Sequence, residues 1–290
     1  MINRRKEAIQ GILYVLPSFV LILTFAVIPI LMSGFFSFTQ YNVMQPPQWI
    51  GLDNYIRMTK DPYVKASLVN TVIFTIGTVP VQTFLSLVIA AVLAEMFRGH
   101  FGGFVKSALF VPVIASAILV GTLWSFLLNP RGIVNLILQA LNLPAVNWLG
   151  GKATAMFSVC LVSVWKNVGY FLVIYYAGIM DIPRSQYEAA RVDGASPIQC
   201  FFRITLPSLK SVTYLVVTLG TIWSFQVFDL VYNMTGGGPG TATQTLVLTI
   251  YNAAFKEYSM GYASAVAMLM FLFVLLINAI QKIFFREKEV

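Results

Sequence analysis

The sequence predicts an all-α integral membrane protein with six transmembrane helices. Of its 290 residues, 58% are hydrophobic and only 10% are charged, and the mean hydropathy of +0.79 lies far above that of a soluble domain. Charge-free apolar runs recur along the chain, and about 20 apolar residues suffice to cross a bilayer. The net charge of +8 comes from basic residues scattered between these runs. Scattered charge argues against nucleic-acid binding, which needs a basic cluster.

Charged residues mark the ends of the predicted spans, because an ionised side chain at the bilayer centre is costly. The first span lies at residues 12–35, and its apolar run is too long for a signal peptide, so we expect it to be retained. The fourth runs from Ala153 to Ile179. The second, third, fifth and sixth lie in the charge-free runs from Lys65 to Glu95, Lys106 to Arg131, Lys210 to Asp229, and Glu257 to Lys282.

The distribution of Lys and Arg predicts that both termini are cytoplasmic. With the N-terminus inside, the inner segments hold twelve of these residues and the outer segments hold six. Cytoplasmic loops of membrane proteins carry the excess of basic residues. Residues 181–207, between spans four and five, therefore lie on the cytoplasmic side.

Two outer loops have recognisable local patterns. Residues 132–143 repeat apolar side chains at helical spacing, which predicts a short interfacial helix ended by Pro144. Residues 236–241, GGGPGT, predict a flexible outer turn. This turn lacks the Lys of a phosphate-binding loop, and Pro239 has no amide to donate, so no nucleotide site is expected.

Residues 181–207 read as two short helices joined by a turn. Asp181 is a suitable cap for the first helix, with Pro183 in its first turn, and Gly194 is the break that ends it. On this pattern alone the segment is either an amphipathic linker resting on the lipid headgroups or a docking surface for another protein.

The second of these helices begins with a serine and proline pair. Ser196 is a capping residue and Pro197 suits the first helical position, while Pro207 ends the helix just before span five. One side of this helix is predicted to be lined by Ile198, Phe201, Phe202 and Thr205.

The spacing within this segment resembles a known signature. Glu188-Ala189-Ala190 is followed after three residues by Gly194, after nine more by Ile204, and after one more by Leu206-Pro207. This is similar to the complete EAA signature of the membrane subunits of binding-protein-dependent ABC importers. Further stretches resemble the carbohydrate-importing branch, and within it the MalF-like rather than the MalG-like partner: WIGLDNY at 49–55, WKNVGY at 165–170, FQVFD at 225–229 and GYASA at 261–265.

The resemblance covers nearly the whole chain and implies a type I ABC importer permease, a single transmembrane domain over residues 1–290. It implies a second, MalG-like permease subunit, two cytoplasmic ATPase subunits, an extracellular binding protein and a sugar substrate, in the cytoplasmic membrane of a bacterium or archaeon. It also implies that this chain is not an enzyme and holds no cofactor or metal, since ATP and Mg bind the ATPase. Unlike the maltose permease subunit, this chain has no large outer domain between spans two and three.

The resemblance also implies docking residues for the ATPase within the segment 181–207, here called the coupling segment. By motif position these are Glu188, Ala189, Ala190 and Gly194. Small side chains let a helix approach closely, and Glu188 is free to pair with a basic group. An apolar pocket on the ATPase is expected to receive Phe201 or Phe202.

Polar and aromatic residues in spans four and five are candidates for the sugar path, which needs hydrogen-bonding groups in a cavity within the membrane. The alternative for the aromatic residues is an interfacial belt. The six predicted path residues are Lys166, Asn167, Tyr170, Gln226, Asp229 and Asn233.

Lys166 and Asp229 are ionisable residues within predicted spans. At 1.5 Å per residue, Lys166 lies roughly 20 Å from the outer end of span four and Asp229 only about 6 Å from that of span five. A direct ion pair between them is therefore doubtful. Each either faces the translocation cavity or holds helices together.

Two other functional classes remain. An ion-coupled secondary transporter or channel predicts an inverted repeat or ionisable groups spread over several spans, and neither is evident. A membrane enzyme needs a His, Cys or carboxylate cluster, but His100 is the single histidine, and Cys160 and Cys200 are expected to be plain apolar side chains. The substrate stays open between a disaccharide, an oligosaccharide, a polyol and a glycerol phosphate, with a neutral sugar favoured because Lys166 is the single cation expected in the cavity.

Overall fold

The structure is a computed structural model that describes residues 4–96 and 100–285. Two short strands, β1 (Thr39–Gln40) and β2 (Gln48–Trp49), interrupt an otherwise helical chain. The α-helices are α1 (Arg4–Ile22), α2 (Ile28–Phe36), α3 (Asp53–Lys60), α4 (Pro62–Met96), α5 (His100–Ile114), α6 (Ala117–Leu127), α7 (Ile133–Ala140), α8 (Lys152–Met180), α9 (Arg184–Val192), α10 (Pro197–Cys200), α11 (Leu206–Ser208), α12 (Lys210–Phe225), α13 (Asp229–Met234), α14 (Leu246–Tyr251) and α15 (Met260–Phe285). π-Helical turns lie at Leu23–Val27, Phe201–Thr205 and Asn252–Lys256.

Four helical stretches are long and apolar enough to cross a membrane. They are Gly11–Phe36, Pro62–Glu95, Lys152–Met180 and Met260–Phe285. These stretches agree with the predicted first, second, fourth and sixth spans.

The third span is broken within its apolar run, and a second bend lies at Leu209, directly before the fifth span. The axes of α5 and α6 differ by 97°, and those of the helical stretch Pro197–Ser208 and α12 differ by 67°. The first break has a local cause, since the Ser116 hydroxyl accepts a hydrogen bond from the Leu119 amide at 3.2 Å and so caps a new helix inside the apolar run. Among the described residues, the chain has six spans only if each bent pair counts as one.

The described chain divides into two compact units. The first is built from the chain up to Asp61 together with Ile250–Phe271. In it, β1 pairs antiparallel with β2, and the buried Asn54 side chain donates to the carbonyls of Ser37 and Thr39, both at 2.9 Å. These bonds fix α3 against the strand pair.

The second unit contains Pro62–Thr249 and the chain from Leu272 onward, and its centre is the packing of α4 against α8. Small and polar residues permit the close approach: Gly77 faces the Cys160 thiol, and the Ser86 hydroxyl donates to the Val168 carbonyl at 2.9 Å. The two cysteines are free and buried. The buried apolar core of α4, α8 and α12 includes Leu87, Ala90, Phe171, Leu172, Tyr175, Leu209 and Val216.

The glycine loop, residues 235–246, which is predicted to lie on the outer side, differs from the flexible turn that its composition predicts. Thr243 and Thr245 are fully buried. The Asn70 side chain in α4 donates to the carbonyls of Thr241 and Gln244, at 2.6 and 3.0 Å. The Thr243 hydroxyl also donates to the Gly238 carbonyl at 2.9 Å. The prediction was wrong because hydrogen bonds from a distant helix satisfy the backbone of the loop, and no local pattern contains them.

The other outer loop contains the predicted short helix, which the structure places at α7. The buried Asn135 side chain organises the loop around it. Its amide nitrogen donates to three carbonyls and its oxygen accepts from the Val146 amide at 3.0 Å and the Trp148 indole at 3.2 Å. The neighbouring apolar side chains Ile133, Leu136 and Ile137 are exposed, each by more than half.

Candidate functional site

The first helix of the coupling segment, α9, ends as its glycine predicts. Gly194 has a φ of +79°, a left-handed conformation that favours glycine. Its amide donates to the Arg191 carbonyl at 3.1 Å, and the Ala195 amide donates to the Ala190 carbonyl at 2.9 Å. This pair of bonds is a Schellman motif, which satisfies carbonyls at the end of the helix.

The second helix begins at a capping box. The Ser196 hydroxyl accepts from the Gln199 amide at 3.3 Å, and the Gln199 side chain accepts from the Ser196 amide at 2.7 Å. The prediction for Ser196 and Pro197 is confirmed, because α10 starts at Pro197.

One boundary prediction in this segment was wrong. Asp181 does not cap α9, since it is the C-cap of α8, and the residue before α9 is Pro183. The predicted end of the second helix at Pro207 is confirmed to within one residue, because the helical stretch ends at Ser208 and α12 begins at Lys210.

One contact joins the two helices of the coupling segment, and two attach the segment to the membrane helices. The Tyr187 and Thr205 hydroxyls are hydrogen bonded at 2.8 Å and hold the two helices together. Arg191 forms an ion pair with Glu95 near the end of α4, at 2.6 Å. Phe201 packs with Ile204 against the buried core of α4, α8 and α12. The segment is therefore fixed to the bundle by one face.

The opposite face holds most of the predicted docking residues. Glu188, Ala189, Gly194 and Phe202 are exposed, whereas Ala190 and Phe201 are partly buried. The Glu188 carboxylate has no partner among the described residues. The side of the second helix that was predicted to be apolar divides into two pairs. Phe201 and Thr205 face inward, whereas Ile198 and Phe202 face outward and are 71% and 60% exposed. Phe201, Phe202 and Thr205 all lie in the π-helical turn, and Ile198 lies in α10 before it.

A pocket of about 280 Å³ lies at the turn between the two helices of the segment. It opens beside the glycine that ends α9, and polar and apolar atoms share its surface. Its lining residues are Ala190, Asp193, Gly194, Ala195, Gln199, Cys200, Arg203 and Ile204.

In span four, Lys166 does not form an ion pair with Asp229. Its ammonium group donates instead to the backbone carbonyls of Val113 at 3.1 Å and Pro112 at 3.5 Å, at the carboxyl end of α5. These carbonyls lie beside the 97° break, where the next helical turn is missing. Of the two roles left open for Lys166, the contacts favour holding helices together.

Asn167 follows Lys166 directly on α8, and Tyr170 lies one helical turn further on. The Tyr170 ring packs against the Trp223 ring of α12, with centroids 4.8 Å apart. Trp223 is 38% exposed, so one face of this pair is open. The Asn167 amide donates weakly to the Ser163 hydroxyl, at 3.4 Å.

The three predicted path residues of span five lie where that span ends. Gln226 follows α12 directly, and Asp229 opens α13 after two non-helical residues. Both are exposed. Asn233 donates to the Asp229 carbonyl at 2.9 Å and packs against Gly121 of α6. The break thus presents an amide and a carboxylate within six residues of Trp223 along the chain.

A groove of about 1020 Å³ runs along α4 and α8, and the predicted path residues lie outside it. Apolar side chains form most of its lining, which includes Ile73, Val81 and Leu85 of α4 and Phe157 and Leu161 of α8. None of the six predicted path residues lines it. An almost wholly apolar lining does not suit a sugar, which needs hydrogen-bonding partners.

The comparison with protein families agrees with the geometry of the coupling segment. Residues 64–290 match the family of binding-protein-dependent transport system inner membrane components. The chain belongs to this family. It is therefore a multi-pass membrane permease component of an ABC importer, a class that is not itself catalytic.

Relatives in this family are similar over almost their full length. The probable ABC transporter permease protein YurN of Bacillus subtilis is 38% identical over 290 residues, covering 99% of this chain and 98% of the relative. The trehalose/maltose transport system permease protein MalF of Thermococcus litoralis is 34% identical over 272 residues, covering 93% of this chain and 91% of the relative.

A solved structure shares the fold. It is a chain from a bacterial alginate ABC transporter in complex with an alginate pentasaccharide-bound periplasmic protein. The TM-score is 0.84 at 22% identity, and the match covers 96% of this chain and 94% of the other. The type I permease fold expected from the sequence is thus confirmed.

Sequence reasoning missed a row of buried polar side chains on α4 of this permease. Thr71 accepts a hydrogen bond from the Leu246 amide at 3.1 Å, and the Thr78 and Ser224 hydroxyls are hydrogen bonded at 3.2 Å. Gln82 lies against Gly220 of α12. The signal was present, because Thr71, Thr78, Gln82 and Ser86 recur at helical spacing within an apolar run.

Proposed function

We propose that this chain is one of two permease subunits of an ATP-driven sugar importer. Its six spans place both termini in the cytoplasm, and the coupling segment receives a separate ATPase. The second subunit is a MalG-like permease, two ATPase subunits bind ATP and Mg, and an extracellular binding protein delivers the sugar. The membrane is the cytoplasmic membrane of a bacterium or archaeon.

The exposed face of the coupling segment carries this proposal. Glu188 is an unpaired carboxylate beside Ala189, and the nearby Phe202 and Ile198 side chains are exposed apolar groups. Exposed apolar side chains around a charged group are typical of an interface that awaits a partner. The inward face is meanwhile held by Arg191 and Tyr187, so a force on the outer face reaches α4 and α12.

Charge reversal at the docking surface tests the ATPase assignment. In the reconstituted complex we expect Glu188→Lys and Gly194→Asp to abolish transport-coupled ATP hydrolysis, while the permease still inserts in the membrane. Asp53→Lys is the matched control, because Asp53 is an exposed carboxylate in the predicted outer segment. Normal coupling in both docking variants would exclude the surface as the ATPase site.

For the sugar path, the proposal relies on the break between α12 and α13. Gln226 and Asp229 supply hydrogen-bonding groups, and the Tyr170 and Trp223 rings supply flat apolar faces. The trehalose/maltose transport named for the Thermococcus litoralis relative supports a neutral di- or oligosaccharide. Lys166 and Asn167 flank this region, with Lys166 engaged by carbonyls.

Substrate identity is tested with a defined panel. We expect membrane vesicles containing the whole importer to take up radiolabelled maltose or trehalose in preference to glycerol 3-phosphate, and Asp229→Asn to slow that uptake. If the vesicles took up glycerol 3-phosphate but neither sugar, the assigned substrate would be a phosphorylated compound rather than a neutral sugar. Ion-gradient-driven uptake by the lone chain would instead favour an ion-coupled secondary transporter or channel, the alternative that family membership disfavours.

A further inference from the structure

The WKNVGY stretch at 165–170 meets the broken span at three points. Trp165 packs its ring against the Trp124 ring of α6, with centroids 5.4 Å apart and planes at 71°. Lys166 donates to carbonyls at the end of α5. Gly169 faces the Leu109 carbonyl so closely that any Cβ there would collide with it. Contacts to both halves of the broken span therefore come from a single helical turn of α8.

Lys166 supplies hydrogen-bond donors to backbone carbonyls of α5 that the break leaves without helical partners. The last carbonyls of α5 lack helical partners, since Ser116 is extended and begins α6. Unsatisfied carbonyls are costly in a membrane interior, and so is an ammonium group. Their hydrogen bonds remove both costs at once, and the partial negative charge at a helix carboxyl end favours a cation there.

The direction of α6 matters because α6 supports the predicted sugar path. Gly121 of α6 packs against Asn233, Leu230 and Met234 of α13, close enough that a Cβ at position 121 would touch the Asn233 side chain. Asp229 is the first residue of α13. A rotation of α6 about the break would therefore shift the α13 carboxylate.

We propose that Trp165, Lys166 and Gly169 form a clamp on the elbow between α5 and α6, in which Lys166 is a positioning residue for the path residues Asp229 and Asn233. The role in transport rests on the function proposed above, whereas the elbow geometry does not. Lys166 acts through the backbone of α5 and does not touch the substrate.

The elbow angle is measured directly by electron paramagnetic resonance in the full importer. Nitroxide labels replace Phe104 of α5 and Phe126 of α6, which are 70% and 71% exposed, in a chain whose two cysteines are changed to alanine. We expect one narrow distance distribution with Lys166 present. Lys166→Met should broaden or shift it, and Lys166→Arg, which keeps a cationic donor of similar reach, should restore it.

ATP hydrolysis stimulated by the binding protein gives the second measurement, per mole of purified complex. Residues that link two sites typically change the coupling between them by about 0.5–2 kcal/mol, so we expect stimulation to fall about tenfold in Lys166→Met and to recover in Lys166→Arg. A purely structural role would lower the yield of complex without changing this turnover. If the Met variant does not assemble, Lys166→Gln retains an amide donor and is measured in the same way.

The two measurements separate the possible failures. An unchanged label distance in Lys166→Met or Lys166→Gln overturns the clamp, and lost stimulation at unchanged distance would make Lys166 a substrate contact instead. A changed distance with normal stimulation keeps the clamp but removes its role in positioning Asp229. The label distance can be measured even if the docking or sugar assignment is wrong. Failure of either assignment is therefore distinguishable from failure of the clamp.

Discussion

The coupling segment and the outer glycine loop both place glycine and proline within an apolar chain, but the chain satisfies them in different ways. In the coupling segment the helix ends satisfy their own backbone groups, by a Schellman motif at Gly194 and a capping box at Ser196. In the glycine loop, local backbone bonds are supplemented by side chains of another helix, because Asn70 donates to the Thr241 and Gln244 carbonyls and Thr71 accepts from the Leu246 amide.

This difference decides what each segment can do. A segment that closes its own hydrogen bonds leaves side chains such as Glu188 and Phe202 available to a partner. A loop that also takes hydrogen bonds from α4, with Thr243 and Thr245 fully buried, is part of the scaffold. Substitutions in the loop should therefore change stability, whereas substitutions on the outer face of the coupling segment should change coupling.

The largest effect on stability is expected from Thr71→Val. This isosteric change leaves the buried Leu246 amide without its acceptor, which should lower the apparent free energy of unfolding in detergent by about 1–3 kcal/mol. The matched control is Thr75→Val, one turn along α4, because the Thr75 hydroxyl donates only within that helix. If Thr71→Val and Thr75→Val lowered thermal stability equally, the hydrogen bond from the Leu246 amide to Thr71 would not contribute to stability.

A smaller loss is expected from Gly194→Ala in the coupling segment. The left-handed φ of +79° costs an L side chain about 1–2 kcal/mol, although open space surrounds the position. Gly103→Ala in α5 is the control, since that glycine also faces open space but lies in a helix, where alanine is neutral or stabilising. A tolerated Gly194→Ala together with a destabilising Gly103→Ala would contradict the assignment of strain to Gly194.

The ion pair between Arg191 and Glu95 should contribute still less. Its side chains are 57% and 42% exposed, so a double-mutant cycle with Arg191→Gln and Glu95→Gln should give a coupling energy of about 0.2–1 kcal/mol that salt reduces. Chemical unfolding of the four variants at low and high ionic strength measures it. A larger, salt-insensitive value would mean that the pair is shielded from solvent.

The smallest change in stability is expected from Phe202→Ser, within about 0.5 kcal/mol, because the ring is 60% exposed. Binding of the ATPase should nevertheless weaken in a pull-down from detergent. Phe201→Ser is the internal control, since that ring packs on the buried core and its loss should lower the melting temperature. If Phe202→Ser lowered the melting temperature and Phe201→Ser weakened ATPase binding, Phe202 would belong to the buried face and Phe201 to the exposed face.

Local patterns in the sequence were enough for the helices and for the turn of the coupling segment. Gly194, Ser196 and Pro197 act through neighbours within a few residues, so their roles follow from composition and spacing. The boundary at Asp181 was wrong because this residue suits the end of one helix as well as the start of the next. The charge-free runs likewise located six apolar segments but not the bend within the third.

Contacts between distant residues could not be predicted from one sequence. Lys166 and Val113 are 53 residues apart, and Asn70 and Thr241 are 171 apart. The presence of an intramembrane lysine was evident, but its partner is a pair of backbone carbonyls that exist as acceptors only because span three breaks. For the same reason the glycine loop was interpreted as a mobile turn.

The Asn135 side chain has a consequence for how this permease can vary. Its amide binds the chain on both sides of the outer loop, from Asn129 to Val146, and so closes a ring whose seal is one residue. The stretch between Asn135 and Val146 lies inside this ring, and we expect residues inserted there to leave the Asn135 bonds in place. A peptide tag inserted after Asn142 checks this directly: the ring should stay closed and transport should continue, whereas Asn135→Ala should open it.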